Sequence, residues 1–216
     1  MNPAARVALV AAAEARALTV PDHARRARAA CERLLRAGVV PAVTGSLAGF
    51  LWGCSRRPAD VDLEVSREAL VGALHWHVGP AAVHALPSCD VVFASQGFLG
   101  DLGVDLDGPT VDLVVVPTSC APEAWLWVGG LPVVPPGWLA FRKALRLAAA
   151  VHGGYGGRTP ERDPADVAEL VGVPGLGAQM PQHPRGVGAV VAAILAGEDY
   201  TPAARSIDPA ELAATL

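Results

Sequence analysis

Hydrophobic positions in the first forty residues recur at helical spacing, and two helices are expected at 4–18 and 22–37. Pro21 separates them, and Gly38 stands in the usual stop position after the second. An apolar run from Val39 to Thr44 ends at Gly45 and Ser46, and Leu47 to Trp52 reads as a short helix. From Asp60 to Val65 the period changes to two. Val61, Leu63 and Val65 fall on one face of a strand, with Asp60, Asp62 and Glu64 on the other. Ser66 is placed to cap a helix running to about Trp76. Between 81 and 117 the pattern predicts strands at Val91–Ala94, at Leu102, Val104 and Leu106, and at Thr110–Val116. The turn signal Asp107–Gly108 makes the last two an antiparallel hairpin.

Pro135 and Pro136 open a different regime. Trp138, Phe141, Leu145 and Ala148 predict a helix over 137–151, followed by a glycine-rich loop at 152–157. Asp163 and Pro164 form a helix start, with Asp as cap and Pro at the first helical position. The rest, to Leu216, reads as mostly helical. The expected organisation is a mixed α/β core with N-terminal helices over 1–134 and a helical C-terminal region over 135–216, without internal repeats.

Composition narrows the class. The 216 residues are 52% hydrophobic and 18% charged, which suits a packed core and excludes wholesale disorder. A formal net charge of -4 argues against a non-specific nucleic-acid coat, although it leaves a nucleic-acid substrate open. Arg25, Arg26, Arg28, Arg33 and Arg36 crowd the second helix, a run that reads first as a solvated face and second as a polyanion contact. Cysteines at 31, 54, 89 and 120 show neither a C-x-x-C pair nor zinc spacing, so buried thiols in a reducing cytoplasm are expected. The apolar stretch 7–13 is too short and too soon interrupted by Glu14 and Arg16 for a leader, and no segment has the length of a membrane span. His75, His77, His84 and Cys89 are a weak metal set, because the two first histidines fall on different helix faces. The loop at 153–157 lacks the trailing Lys-Ser/Thr of a phosphate loop.

The sharpest chemistry lies in the acids. Residues two apart in a strand share a face about 6.5–7 Å apart, so Asp60 and Asp62 point the same way and repel. A divalent cation removes that repulsion, and magnesium takes carboxylates together with substrate phosphates. Asp112, between Val111 and Leu113, is a charge in an apolar strand and needs a partner. Taken alone, the paired Asp60 and Asp62 are equally a solvent-facing sheet surface, and Glu64 and Asp105 are read as solvated.

In order along the chain stand Gly45-Ser46, then Asp60 and Asp62 fourteen residues on, Asp112 in its strand, Lys143 in its helix, and Arg162-Asp163 with Asp166 at a helix start. This series resembles the motifs of the DNA-polymerase-β-like nucleotidyltransferase superfamily. With Arg56 and Arg57 before the acidic strand, it is most similar to the AbiEii-type branch of toxin–antitoxin and phage-defence systems. Lys143 is the only lysine, against sixteen arginines, and falls where that superfamily places one.

The resemblance spans about residues 43–170 and implies transfer of a nucleoside monophosphate from a nucleoside triphosphate to an acceptor. It implies Mg2+ on Asp60, Asp62 and Asp112, and phosphates cradled by Gly45 and Ser46 with Arg56 and Arg57 nearby. Lys143, sharing a helix face with Arg142 and Arg146 and lacking an acid on its own helix, is expected to offer a free ammonium to the triphosphate. Asp163 would orient or deprotonate the acceptor, or only cap its helix, and Asp166 would be structural. The implied setting is cytoplasmic, without a membrane partner. The acceptor is tRNA or a small molecule, and a cognate antitoxin is an expected partner. Three classes stay open: an AbiEii-like toxin, an antibiotic-type enzyme, and a non-catalytic binding relative or antitoxin.

Overall fold

The computed structural model describes residues 1–70, 92–93, 109–116, 124–153, 161–173 and 184–215. The chain opens with α1 (Pro3–Ala17) and α2 (Pro21–Arg36), each with a proline in its first turn, where the missing N–H costs nothing. Pro21 therefore starts α2 rather than lying between the helices. Gly38 follows α2 with φ 79. Strand β1 (Ala42–Thr44) runs straight into α3 (Gly45–Trp52). Strand β2 (Val61–Ser66) begins one residue after Asp60, and a helix starts directly after it, where Ala69 N–H donates to Ser66 Oγ at 3.2 Å.

Further strands are β3 (Val92–Phe93), β4 (Val111–Val116), β5 (Leu126–Val128) and β6 (Leu131–Val133). The C-terminal half holds α4 (Pro136–Val151), α5 (Asp163–Val171), α6 (Val187–Ala196), α7 (Thr201–Arg205) and α8 (Pro209–Thr215). The expected strand at 102–106 and its hairpin turn lie outside the described residues, as do His75, His77, His84, Cys89, Asp105, Cys120 and the glycine-rich loop beyond 153.

The described strands form one mixed sheet in the order β3-β4-β2-β1-β6-β5. β2 pairs antiparallel with β1 and parallel with β4, and β1 pairs parallel with β6. The fold is thus the expected α/β mixture, with helices backing a mixed sheet.

Both faces of the central strand are covered. Val61, Leu63 and Val65 are fully buried, while α2, which packs on β2, β4 and β6, buries Ala27, Ala30, Cys31 and Leu34 in the same cluster. The other face of β2 carries Asp62 and Glu64. Here α3 and α4 approach: Gly45 abuts Asp62, and Trp138 Nε1 donates to both oxygens of Glu64 at 3.0 and 3.1 Å.

Glu64 is 1% exposed, so the expectation of a solvated residue is corrected. A buried carboxylate keeps its charge only when donors reach it, and the Trp138 indole is one. α4 joins two apolar clusters: Leu139 and Ala140 belong to that of the sheet, whereas Phe141, Ala144, Leu145 and Ala148 pack with Val167, Val187 and Ile207 of the C-terminal region.

The arginines of α2 are largely engaged within the molecule. Arg25 pairs with Asp22, Arg36 with Glu32, and Arg28 Nη2 donates to Gly129 O at 2.7 Å, while Arg26 is buried. From α1, Arg16 donates to Phe50 O at 2.5 Å and to Cys54 O at 2.6 Å, and its guanidinium lies 4.4 Å from the Phe50 ring centroid. Arg16 thereby caps the C-terminal end of α3, where the helix dipole favours a cation.

Candidate functional site

The parallel register sets Asp62 directly beside Asp112. Side chains at paired positions of neighbouring strands leave on the same face, so period two and register together bring these carboxylates to one spot. Asp60 joins them from the residue before β2. One oxygen from each of Asp60, Asp62 and Asp112 lies within 4.8 Å of the others, and all three residues are partly buried. This acidic triad has the donor chemistry and spacing to bind a metal ion.

The electrostatic cost is visible in the acidities. Burial, and then the charges of Asp60 and Asp112, push the Asp62 carboxyl up to about 6, against the opposing pull of Arg146 and the Ser46 N–H. Asp112 is also raised, by burial first and by Asp60 second.

The start of α3 forms the second wall. Ser46 Oγ donates to Asp60 Oδ1 at 3.1 Å, and the Ser46 backbone N–H is bonded to Asp62. Gly45 has φ 60, and a Cβ there would fall 1.8 Å from Asp62 Oδ2. Two independent constraints therefore demand glycine: the left-handed backbone, and an approach to the carboxylate too close for any side chain. An unobstructed helix N-terminus beside acids suits an anion only when a cation is shared between them.

The structure does not present Lys143 as a free ammonium. Lys143 is 2% exposed and donates to Asp163 Oδ1 at 2.8 Å and to Asp166 Oδ2 at 2.7 Å. The sequence showed no acid on the lysine's own helix; the partners come from α5, which packs along α4.

Asp163 is the first residue of α5 rather than its cap, and it is buried, with its second oxygen 3.6 Å from Arg146 Nε. Asp166 is buried as well and also receives Arg56 Nη2 at 3.1 Å. Arg56 is thus tied to this network, while Arg57 is exposed. Arg142 is turned elsewhere, donating to Thr215 O at 2.9 Å.

The structure brings together Asp60, Asp62, Asp112, Gly45 and Ser46, and gathers Lys143, Asp163, Asp166 and Arg56 into an adjoining ionic network. Arg146 pairs with Asp163 in that network, and its charge opposes the upward shift of the Asp62 carboxyl. In the sequence it was one of three basic residues on a helix, and no spacing rule singled it out.

No protein family, curated protein or solved structure matches this chain. The site's meaning therefore rests on its own geometry and chemistry.

Proposed function

We propose that the protein is a magnesium-dependent nucleotidyltransferase that moves a nucleoside monophosphate from a nucleoside triphosphate to an acceptor hydroxyl. The observation that carries this reading is the convergence of Asp62 and Asp112 on neighbouring strands with Asp60 just before the first, beside a helix start stripped of side chain at Gly45. Asp60, Asp62 and Asp112 would hold the metal, and the upward-shifted pKa values of Asp62 and Asp112 are those of carboxylates whose charge a cation would neutralise. When bound, magnesium supplies positive charge to the attacking and leaving oxygens.

The backbone N–H groups at Gly45 and Ser46 would receive phosphate oxygens. The acceptor hydroxyl would bond to the α-phosphorus as the bond to pyrophosphate breaks. Asp112, on the neighbouring strand, would complete the metal site or take the acceptor's proton. The resemblance to AbiEii-type enzymes supports a toxin or defence setting with tRNA as acceptor and a cognate antitoxin as partner. A small hydroxylated molecule is the other acceptor class for the same chemistry.

The test incubates the protein and Mg2+ with each labelled nucleoside triphosphate, and with either total tRNA or a panel of aminoglycosides and lincosamides. Label is expected on one acceptor class and is expected to vanish in Asp60→Asn/Asp62→Asn. Transfer that persists in that double variant sinks the assignment, and absence of transfer together with absence of metal–nucleotide binding leaves a non-catalytic relative.

A further inference from the structure

Asp60 is the member of the acidic triad that lies outside the strands. Asp62 and Asp112 sit in register on β2 and β4, whereas Asp60 occupies a bend one residue before β2. Carboxylates with oxygens within 4.8 Å of one another repel, so the member on irregular chain swings outward unless the chain around it is fixed. Downstream, the Val61 N–H donates to Thr110 O at 2.8 Å and anchors the start of the strand. On the carboxylate itself, Ser46 Oγ supplies a hydrogen bond at 3.1 Å. The upstream anchor comes from α5.

Three consecutive residues between α3 and β2 are bound to one face of that helix. Cys54 Sγ lies 3.8 Å from Asp166 O, and Arg56 Nη2 lies 3.1 Å from Asp166 Oδ2. Between them, Glu169 takes both donors of Ser55: the backbone N–H on Oε2 at 2.6 Å and the hydroxyl on Oε1 at 2.7 Å. Asp166 and Glu169 stand three residues apart in α5 and so share a face. A carboxylate that accepts two short, charge-assisted bonds from one residue fixes both its position and its orientation. Residues 57–60 then remain between the clamp and the strand, and one of them is the buried Pro58, whose ring fixes φ. Ser55 and Glu169 are both exposed. A pairing of exposed groups contributes little to global stability, which leaves local geometry as its main effect.

We propose that Glu169 is a positioning residue for the metal site: it clamps Ser55 to α5 and thereby holds Asp60 beside Asp62 and Asp112. This inference rests on the metal-binding half of the nucleotidyltransferase reading. It gives the C-terminal region, to which α5 belongs, a part in a site built on the core strands. Ligand carboxylates keep their geometry through such outer partners, and losing one costs a site about 10- to 100-fold in metal affinity.

The test titrates Mn2+ alone into the full chain, read by calorimetry and, for weak sites, by water-proton relaxation. Glu169→Ala is expected to bind Mn2+ about 10-fold more weakly than wild type, with an unchanged urea midpoint. Glu169→Gln should recover most of the affinity, because its amide oxygen still accepts the Ser55 N–H and its amide nitrogen can donate to the Ser55 hydroxyl. Asp60→Asn should weaken the site, and adding Glu169→Ala to it should cost nothing further, because the clamp acts through Asp60. A merely structural or purely electrostatic role gives a different pattern. A lost charge would show in Glu169→Gln as much as in Glu169→Ala, and a general loosening would add to the effect of Asp60→Asn. Either of those results overturns the inference, as does a folded Glu169→Ala protein with wild-type affinity. Should Glu169→Ala fail to fold, Ser55→Ala removes the hydroxyl alone and should show a smaller loss in the same direction; wild-type affinity there overturns the inference equally. A wild type that binds no Mn2+ overturns both this inference and the functional reading beneath it.

Discussion

Asp62→Asn should make the metal-free protein more stable while removing its response to metal. Asparagine keeps the shape at 62 and an oxygen for the Ser46 N–H, but it lifts one negative charge from the triad. The Asp62 carboxyl rises from an ordinary 3.8 to about 6 in the fold. Between those values the native state binds more protons than the unfolded chain, so this group's contribution to stability falls as pH rises through the window. Above pH about 6 the full penalty stands. Two pKa units correspond to about 3 kcal/mol, and partial access of water to the site lowers this to about 1–3 kcal/mol.

For a chain of this size, each kcal/mol moves the melting temperature by about 2–4 °C. In chelator at pH 8, Asp62→Asn should therefore melt several degrees above wild type, and the gap should close toward pH 4. With millimolar Mg2+ or Mn2+ at pH 8, wild type should rise and the variant should not. Thermal and urea denaturation, with and without chelator, read all of this. A variant that is less stable than wild type in chelator at pH 8 would refute the reasoning, because the three acids would then be a stabilising network rather than a strained site awaiting a cation.

Other outcomes follow from the same geometry. Gly45→Ala places a Cβ 1.8 Å from Asp62 Oδ2 at φ 60; it should cost about 1–2 kcal/mol from backbone alone, visible in the urea midpoint, and should abolish Mn2+ binding by calorimetry. Lys143→Met strands Asp163 and Asp166 without the buried ammonium, and should lose about 3–5 kcal/mol in urea denaturation; Lys143→Met/Asp163→Asn/Asp166→Asn should regain much of that, and no recovery would contradict the network. Trp138→Phe removes an indole donor from the buried Glu64 and should cost about 1–3 kcal/mol by the same measurement. Burial pushes the Cys31 and Cys54 thiols up to about 12, so peptide mapping after brief alkylation at pH 8 should find both unmodified in the native protein and labelled in urea.

Much of the frame was legible from local pattern alone. The helices at both ends, the acidic strand and the apolar strand around Asp112 follow from period and from proline and glycine placement. These signals are local, because side-chain periodicity depends only on backbone geometry. That Asp60 and Asp62 lie together was readable for the same reason, although Asp60 falls just before the strand, as was the glycine at the start of the short helix. Three features were not. The meeting of Asp62 with Asp112 depends on a parallel register between strands 50 residues apart, set by sheet order rather than by either strand. Glu64 reads as a solvated member of an alternating face until α4 is laid over it and Trp138 supplies a donor. Lys143 reads as a free cation because its own helix holds no acid, yet α5 delivers two. Local sequence specifies which face a charge occupies; which partner neutralises it is a long-range fact, decided when separate elements pack and a buried charge must find its opposite.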